Sequence, residues 1–252
     1  MIKLSLLKKE IYEYIKTPKL LILGAAFIFF AMSSPLLAKY MNEILASVAT
    51  DLDITFPDPT LNDAWVQFFK NMHTIAMIIF LIVMTGTVAH EKSKGSIALV
   101  LSKNVSRFEF LSAKFISGAL VMTVLTFISI LLGAFYTDRL FGAYTYDGFL
   151  SSMILFLLMG LFYTSLGLLM SIISKTPTSA ALFGFLAFAV LQILNVSSDL
   201  APFNPAGSTT IANEILANTY DLTTIWIPML ITGLSTLIIF LLSYVIFKRQ
   251  EI

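Results

Sequence analysis

Along the 252 residues, long apolar runs alternate with short polar ones. Six runs, at 20–38, 72–89, 115–136, 149–173, 180–196 and 225–247, are close to the roughly 20 residues that an α-helix needs to cross the hydrocarbon core of a bilayer. They are apolar on every side and lack the alternation of short barrel strands, so helices are the only way to satisfy their backbone in lipid. The pattern predicts one all-α polytopic membrane domain over 1–252, with six transmembrane helices.

The polar intervals have patterns of their own. In 1–17, Leu4, Leu7, Ile11, Tyr14 and Ile15 fall on one helical face, opposite Lys9, Glu10, Glu13 and Lys16, which predicts an amphipathic helix lying in the membrane interface. Thr17 then stands at the cap position of the first spanning helix, with Pro18 at its first position, where a missing N–H costs nothing. Residues 39–71 form a long link with an acidic, proline-bearing stretch, read as a loop. In 197–224, Pro202 and Pro205 forbid a regular helix, and the residues after them favour a short helix at the rim.

Composition agrees with membrane residence: 58% of side chains are hydrophobic and 12% charged, against about a quarter charged in a soluble domain. A net charge of +1 gives no indication of a nucleic-acid partner. The distribution of charge is more informative. Of 16 lysines and arginines, 13 lie in the two ends and the even-numbered links, and only Lys39, Lys70 and Arg139 lie in the others. By the positive-inside rule, both termini and residues 90–114 are cytoplasmic and 197–224 is outside, in a multi-pass protein of the cell membrane, expected to be a bacterial plasma membrane.

The candidate chemical motifs are incomplete. His90-Glu91 begins a zinc-protease motif, but Lys94 stands where the second histidine belongs, and His73 is about 25 Å away along the same helix. Cysteine is absent, which removes thiolate nucleophiles and metal sites, and no G-x-S-x-G serine motif or phosphate-binding G-x-x-x-x-G-K-[ST] loop occurs. Asn104-Val105-Ser106 matches a glycosylation acceptor but falls on the cytoplasmic side. No catalytic, cofactor or metal site is predicted. The six runs themselves contain no Asp, Glu, Lys or Arg, so the relay of buried ionisable groups typical of ion-coupled carriers is missing.

The segment 90–114 is built for projection. Gly95 provides a turn, and Ile97, Val100 and Leu101 share one face of a short helix suited to docking. Ser106 and Glu109 then form a capping box, with Val105 and Phe110 as the hydrophobic staple, so the third long helix starts at Arg107. Arg107 and Lys114 are expected near lipid phosphates or a partner's carboxylates.

This combination resembles the permeases of type-2 ABC exporters. The likeness rests on the amphipathic N-terminal helix, Glu91, Gly95 and Ser96 in E-x-x-x-G-[ST], Leu99 and Leu101, Ser106-Arg107, and Leu111 to Lys114 in L-x-x-K. Six spans with both ends inside and a proline-bearing outer segment agree with it. The family often has a proline near Lys103 and Asn104, which this chain lacks. The resemblance implies a coupling helix that enters a cleft of an ATP-binding subunit, present in two copies, and a second permease chain, identical or homologous. It implies ATP bound by the partner and none here. Glu91, Gly95, Ser96, Ile97, Leu101 and Arg107 are then the expected ATPase-coupling residues. Phe183, Phe185, Phe188 and Gln192 are candidates for lining a pathway, because the family places the fifth helix near the dimer centre. Ala180 and Gly184 in that helix would let two copies approach closely. The implied cargo is an amphipathic peptide, antibiotic, drug or lipid-like molecule; the alternative is a passive channel or scaffold with no ATPase.

Overall fold

The computed structural model describes residues 4–48, 57–102, 105–195 and 197–250. Lys103, Asn104 and most of the acidic stretch before Pro57 therefore lie outside the described residues. Among those described, six helices are long and apolar enough to cross a membrane. The helices are α1 (Leu4–Lys16), α2 (Pro18–Lys39), α3 (Met41–Val48), α4 (Leu61–Asn71), α5 (Met77–Ser93), α6 (Ser96–Leu101), α7 (Arg107–Phe141), α8 (Phe149–Ile173), α9 (Pro177–Leu194), α10 (Ser208–Leu216) and α11 (Trp226–Arg249). A π-helical turn, Met72–Ala76, joins α4 to α5, so the second crossing is one 33-residue helix, Leu61–Ser93.

Several elements extend past the apolar runs. α4 occupies part of what the sequence suggested was loop, because a capping box pairs Thr60 and Asp63 and its Trp65, Phe68 and Phe69 are buried. α7 begins at the Ser106–Glu109 capping box, as its residues predict, and stops at Gly142, which has φ 77°. At 35 residues it is about 50 Å long, well beyond a hydrocarbon core of about 30 Å, so part of it extends past the core.

α8 is the centre of the bundle: 72% of its most apolar stretch is buried, against 17% for α9. It packs on α5, α7, α9, α10 and α11, while α2 leans on α4 and α7. At one end Trp65 is fully buried, packs edge-on against Phe68 and Phe149, and donates from Nε1 to the Tyr144 carbonyl at 2.9 Å. The other end carries the start of α1, the end of α11, α6 and most of the described lysines and arginines; it is called the basic end below.

α1 orients differently from its sequence pattern. Leu6, Glu10 and Tyr14 face the bundle, whereas Leu4 and Ile15 are 79% and 59% exposed. The open apolar stripe suits a lipid surface, and the inward carboxylate has partners described below. Thr17 occupies the cap position, but its hydroxyl donates back to the Glu13 carbonyl at 2.6 Å, extending α1 rather than capping α2. Ala180 and Gly184 are buried within this chain; a Cβ on Gly184 would meet Thr85 of α5, so these small residues serve the α5–α9 contact.

Candidate functional site

The segment between α5 and α7 is fastened on both flanks. On the first, Lys114 of α7 is 1% exposed and its Nζ donates to Glu10 Oε2 at 3.0 Å and Glu91 Oε1 at 2.9 Å. Lys9 donates to the same two side chains, to Glu10 Oε1 at 3.0 Å and Glu91 Oε1 at 2.8 Å. Two ammonium groups and two carboxylates thus tie α1, α5 and α7 together with no net charge. Burial lowers the affinity of Lys9 for its proton, but the charges of Glu10 and Glu91 and their hydrogen bonds outweigh it, and its pKa is raised above the ordinary lysine value. The expectation that Lys114 would meet lipid phosphates or a partner is overturned: its partners are in its own chain.

Glu10, Glu13 and Glu91 place carboxylate oxygens within 4.8 Å of one another, a grouping that elsewhere holds a cation. Here ammonium groups occupy that role, because Glu13 also accepts from Lys19 at 2.6 Å. For Glu13, burial raises the pKa, yet the Lys19 hydrogen bond and the surrounding lysine charges prevail and hold it below the usual carboxylate range.

On the second flank, basic side chains cap helix C-termini, where unpaired carbonyls and the helix dipole favour positive charge. Arg107 Nη1 donates to the carbonyls of Phe247, Lys248 and Gln250 at 2.8, 2.8 and 2.7 Å, gripping the end of α11. Lys92 donates to the Ile172 carbonyl at 2.6 Å and to Gln250 Oε1 at 2.9 Å, and Gln250 Nε2 donates to the same Ile172 carbonyl at 3.0 Å. The ends of α5, α7, α8 and α11 are thereby joined around Gln250.

α6 sits between these flanks. Gly95 adopts φ 69°, a left-handed conformation that favours glycine, and Ser96 Oγ reaches the Glu91 carbonyl at 3.3 Å. Ile97 is 2% exposed and belongs to an apolar cluster with Val88, Phe110, Leu111, Leu168, Ile172 and Phe247, against which Val100 and Leu101 are half-buried. The outward face consists of Lys94, Ala98, Leu99 and Ser102, with Leu99 69% exposed. Of the residues singled out from sequence, Glu91, Ile97 and Arg107 therefore engage the chain itself, and Gly95 and Ser96 shape the turn. Leu99 and Ala98 are the ones presented.

The pathway candidates divide in the same way. Phe183 and Phe185 are 44% and 49% exposed, whereas Phe188 is buried against His73 and Tyr163. Gln192 Nε2 is 2.8 Å from His73 Nε2. Sequence reasoning missed the pairing of Lys9 and Lys114 with Glu10 and Glu91. A signal was present, since Glu10 lies four residues from each of Leu6 and Tyr14 on one helical stripe.

An amphipathic entry helix, six crossings and a projecting helix–turn–capped helix after the second are the layout of an ABC-2 permease, and the matching family, described as ABC-2 family transporter protein, covers residues 4–252. The chain belongs to the ABC-2 transporter family. As an ABC-2 permease it is a transmembrane component of an ABC transporter, a class that works with an ATP-binding subunit. It is also 27% identical, over 219 residues covering 85% of each chain, to a protein of Bacillus subtilis (strain 168) named "Uncharacterized transmembrane protein YxlG".

Proposed function

We propose that this permease is the membrane-spanning half of an ATP-driven exporter whose basic end faces the cytoplasm of a bacterial cell. Two copies of a separate ATP-binding subunit bind and hydrolyse the ATP. A second permease chain, identical or homologous, completes the pathway, and the cargo is an amphipathic peptide, antibiotic, drug or lipid-like molecule.

The observation that carries this reading is α6, a short helix with an outward apolar side chain, Leu99, rooted by Ile97 and set between α5 and α7, whose Lys92, Arg107 and Lys114 make polar ties to α1, α8 and α11. A push on such a helix is delivered to those helices as one body, as a mechanical link to an ATPase requires. The charge inventory points the same way. The structural helices are longer than the apolar runs and bring Glu91 and Lys114 to their ends, but those charges are mutually neutralised, so an external energy source remains the simplest drive.

Purification of the tagged permease from native membranes, with partners identified by mass spectrometry, tests the proposal. A P-loop ATPase recovered with the native chain and lost from Leu99→Asp supports it. ATP-independent passage of solutes through vesicles containing the permease alone would favour a passive channel instead.

A further inference from the structure

At the end opposite α6, the bundle contains a buried polar hub. The π-turn Met72–Ala76 directs three successive side chains, Asn71, Met72 and His73, inward, a register that a regular helix turning about 100° per residue does not favour. His73 is 2% exposed. Its Nε2 lies 3.2 Å from the Tyr163 hydroxyl on α8 and 2.8 Å from Gln192 Nε2 on α9, and its Nδ1 is hydrogen-bonded to Thr209 Oγ1 at the start of α10. In either tautomer of His73, Nδ1 and the Thr209 hydroxyl can form one donor–acceptor pair, so the bond does not depend on which ring nitrogen carries the hydrogen.

α10 lies across this end of the bundle. Ile211 and Ile215 pack on Leu155 of α8 and on Ala201. Its polar ties are few: Thr209 to His73 at one end, and Asn62 Nδ2 to the Leu216 carbonyl at 2.9 Å at the other. Between them, Asn213 Oδ1 is buried with no hydrogen-bond partner among the described residues, an unmet polar group that lowers the cost of lifting the helix.

We propose that His73 is a positioning residue for pathway opening: its bond to Thr209 latches α10 over the end of the bundle, and release of that bond lets α10 lift as a lid while Tyr163 and Gln192 hold the imidazole. That the lid opens on the side where cargo leaves rests on the transport reading. That the bond holds α10 down does not.

The chain has no cysteine, so one introduced cysteine reports without background. Ile211→Cys, at a position 0% exposed, is labelled in intact membranes with a membrane-impermeant maleimide, and its rate is normalised to Phe203→Cys, at a position 65% exposed. Labelling should rise about fivefold in Thr209→Val and in His73→Gln, the population shift expected from losing one neutral hydrogen bond. It should stay at the native rate in His73→Asn, whose side-chain amide takes the place of Nδ1 and still bonds the Thr209 hydroxyl. An equal rise in His73→Asn and His73→Gln would mean that packing was loosened, and would overturn the latch. No rise in Thr209→Val and His73→Gln would overturn it too. Ala212→Cys, at a position 1% exposed, provides a second probe should the Ile211 change disturb insertion. Neither ATP nor a partner is needed, so failure to find an ATPase leaves the result intact.

Discussion

Replacing Lys114 by methionine probes how the segment between α5 and α7 is held. The native quartet is neutral, and its side chains are 1% exposed for Lys114, 4% for Glu10 and 11% for Glu91. Lys114→Met leaves two buried carboxylates facing a single ammonium, that of Lys9, which is 44% exposed and so the weakest member of the group. Removing one partner of a buried pair costs about 3–5 kcal/mol, and Lys9 should hold this case near about 3 kcal/mol. That is a large fraction of a typical total stability of about 5–15 kcal/mol. Glu10→Gln added to Lys114→Met restores neutrality through the Lys9–Glu91 pair and should recover at least about half of the loss. Unfolding of the purified permease in detergent, followed through the buried Trp65, measures both. A loss below about 1 kcal/mol in Lys114→Met, or no recovery in the double variant, would refute the reasoning.

Gly95→Ala meets no atoms within 4 Å but forces a left-handed alanine, at about 1–2 kcal/mol, and should speed amide exchange across α6 without altering the membrane helices. Arg107→Ala removes three hydrogen bonds from the carbonyls ending α11, so exchange at residues 247–250 should accelerate, whereas Leu99→Asp, on the outward face of α6, should change unfolding by less than about 0.5 kcal/mol. The folded pKa of Glu13 lies below its unfolded value near about 4.3, so its contribution is present above that pH and disappears as pH falls through the folded value. Melting temperature should therefore drop on acidification below about pH 4.3, and less so in Glu13→Gln.

The crossings, the Gly95 turn, α6 and the capping box at Ser106 were legible because each depends on local periodicity or on residues three or four apart. What was not legible depends on distant pairing. Lys114 reads as a surface lysine until Glu10 and Glu91 arrive from elsewhere in the chain, and Arg107 as a contact for a partner until the end of α11 is placed beside it. α4 was hidden for a different reason: Asn62, Asp63, Gln67, Lys70 and Asn71 dilute its hydropathy, although its Trp65 and Phe68 form a buried stripe. The π-turn has no sequence signature, so His73 drew notice only as a metal ligand that lacked companions.

On the transport reading, α6 is where an ATPase takes hold. A photo-crosslinking residue at Ala98, next to Leu99 on the outward face, tests it most directly when irradiated in living cells and analysed by mass spectrometry. Attachment of a P-loop ATPase at Ala98, and its absence when the same residue replaces buried Ile97, is the predicted result. Attachment to lipid alone, while a control membrane protein of similar abundance captures its known partner, would contradict it.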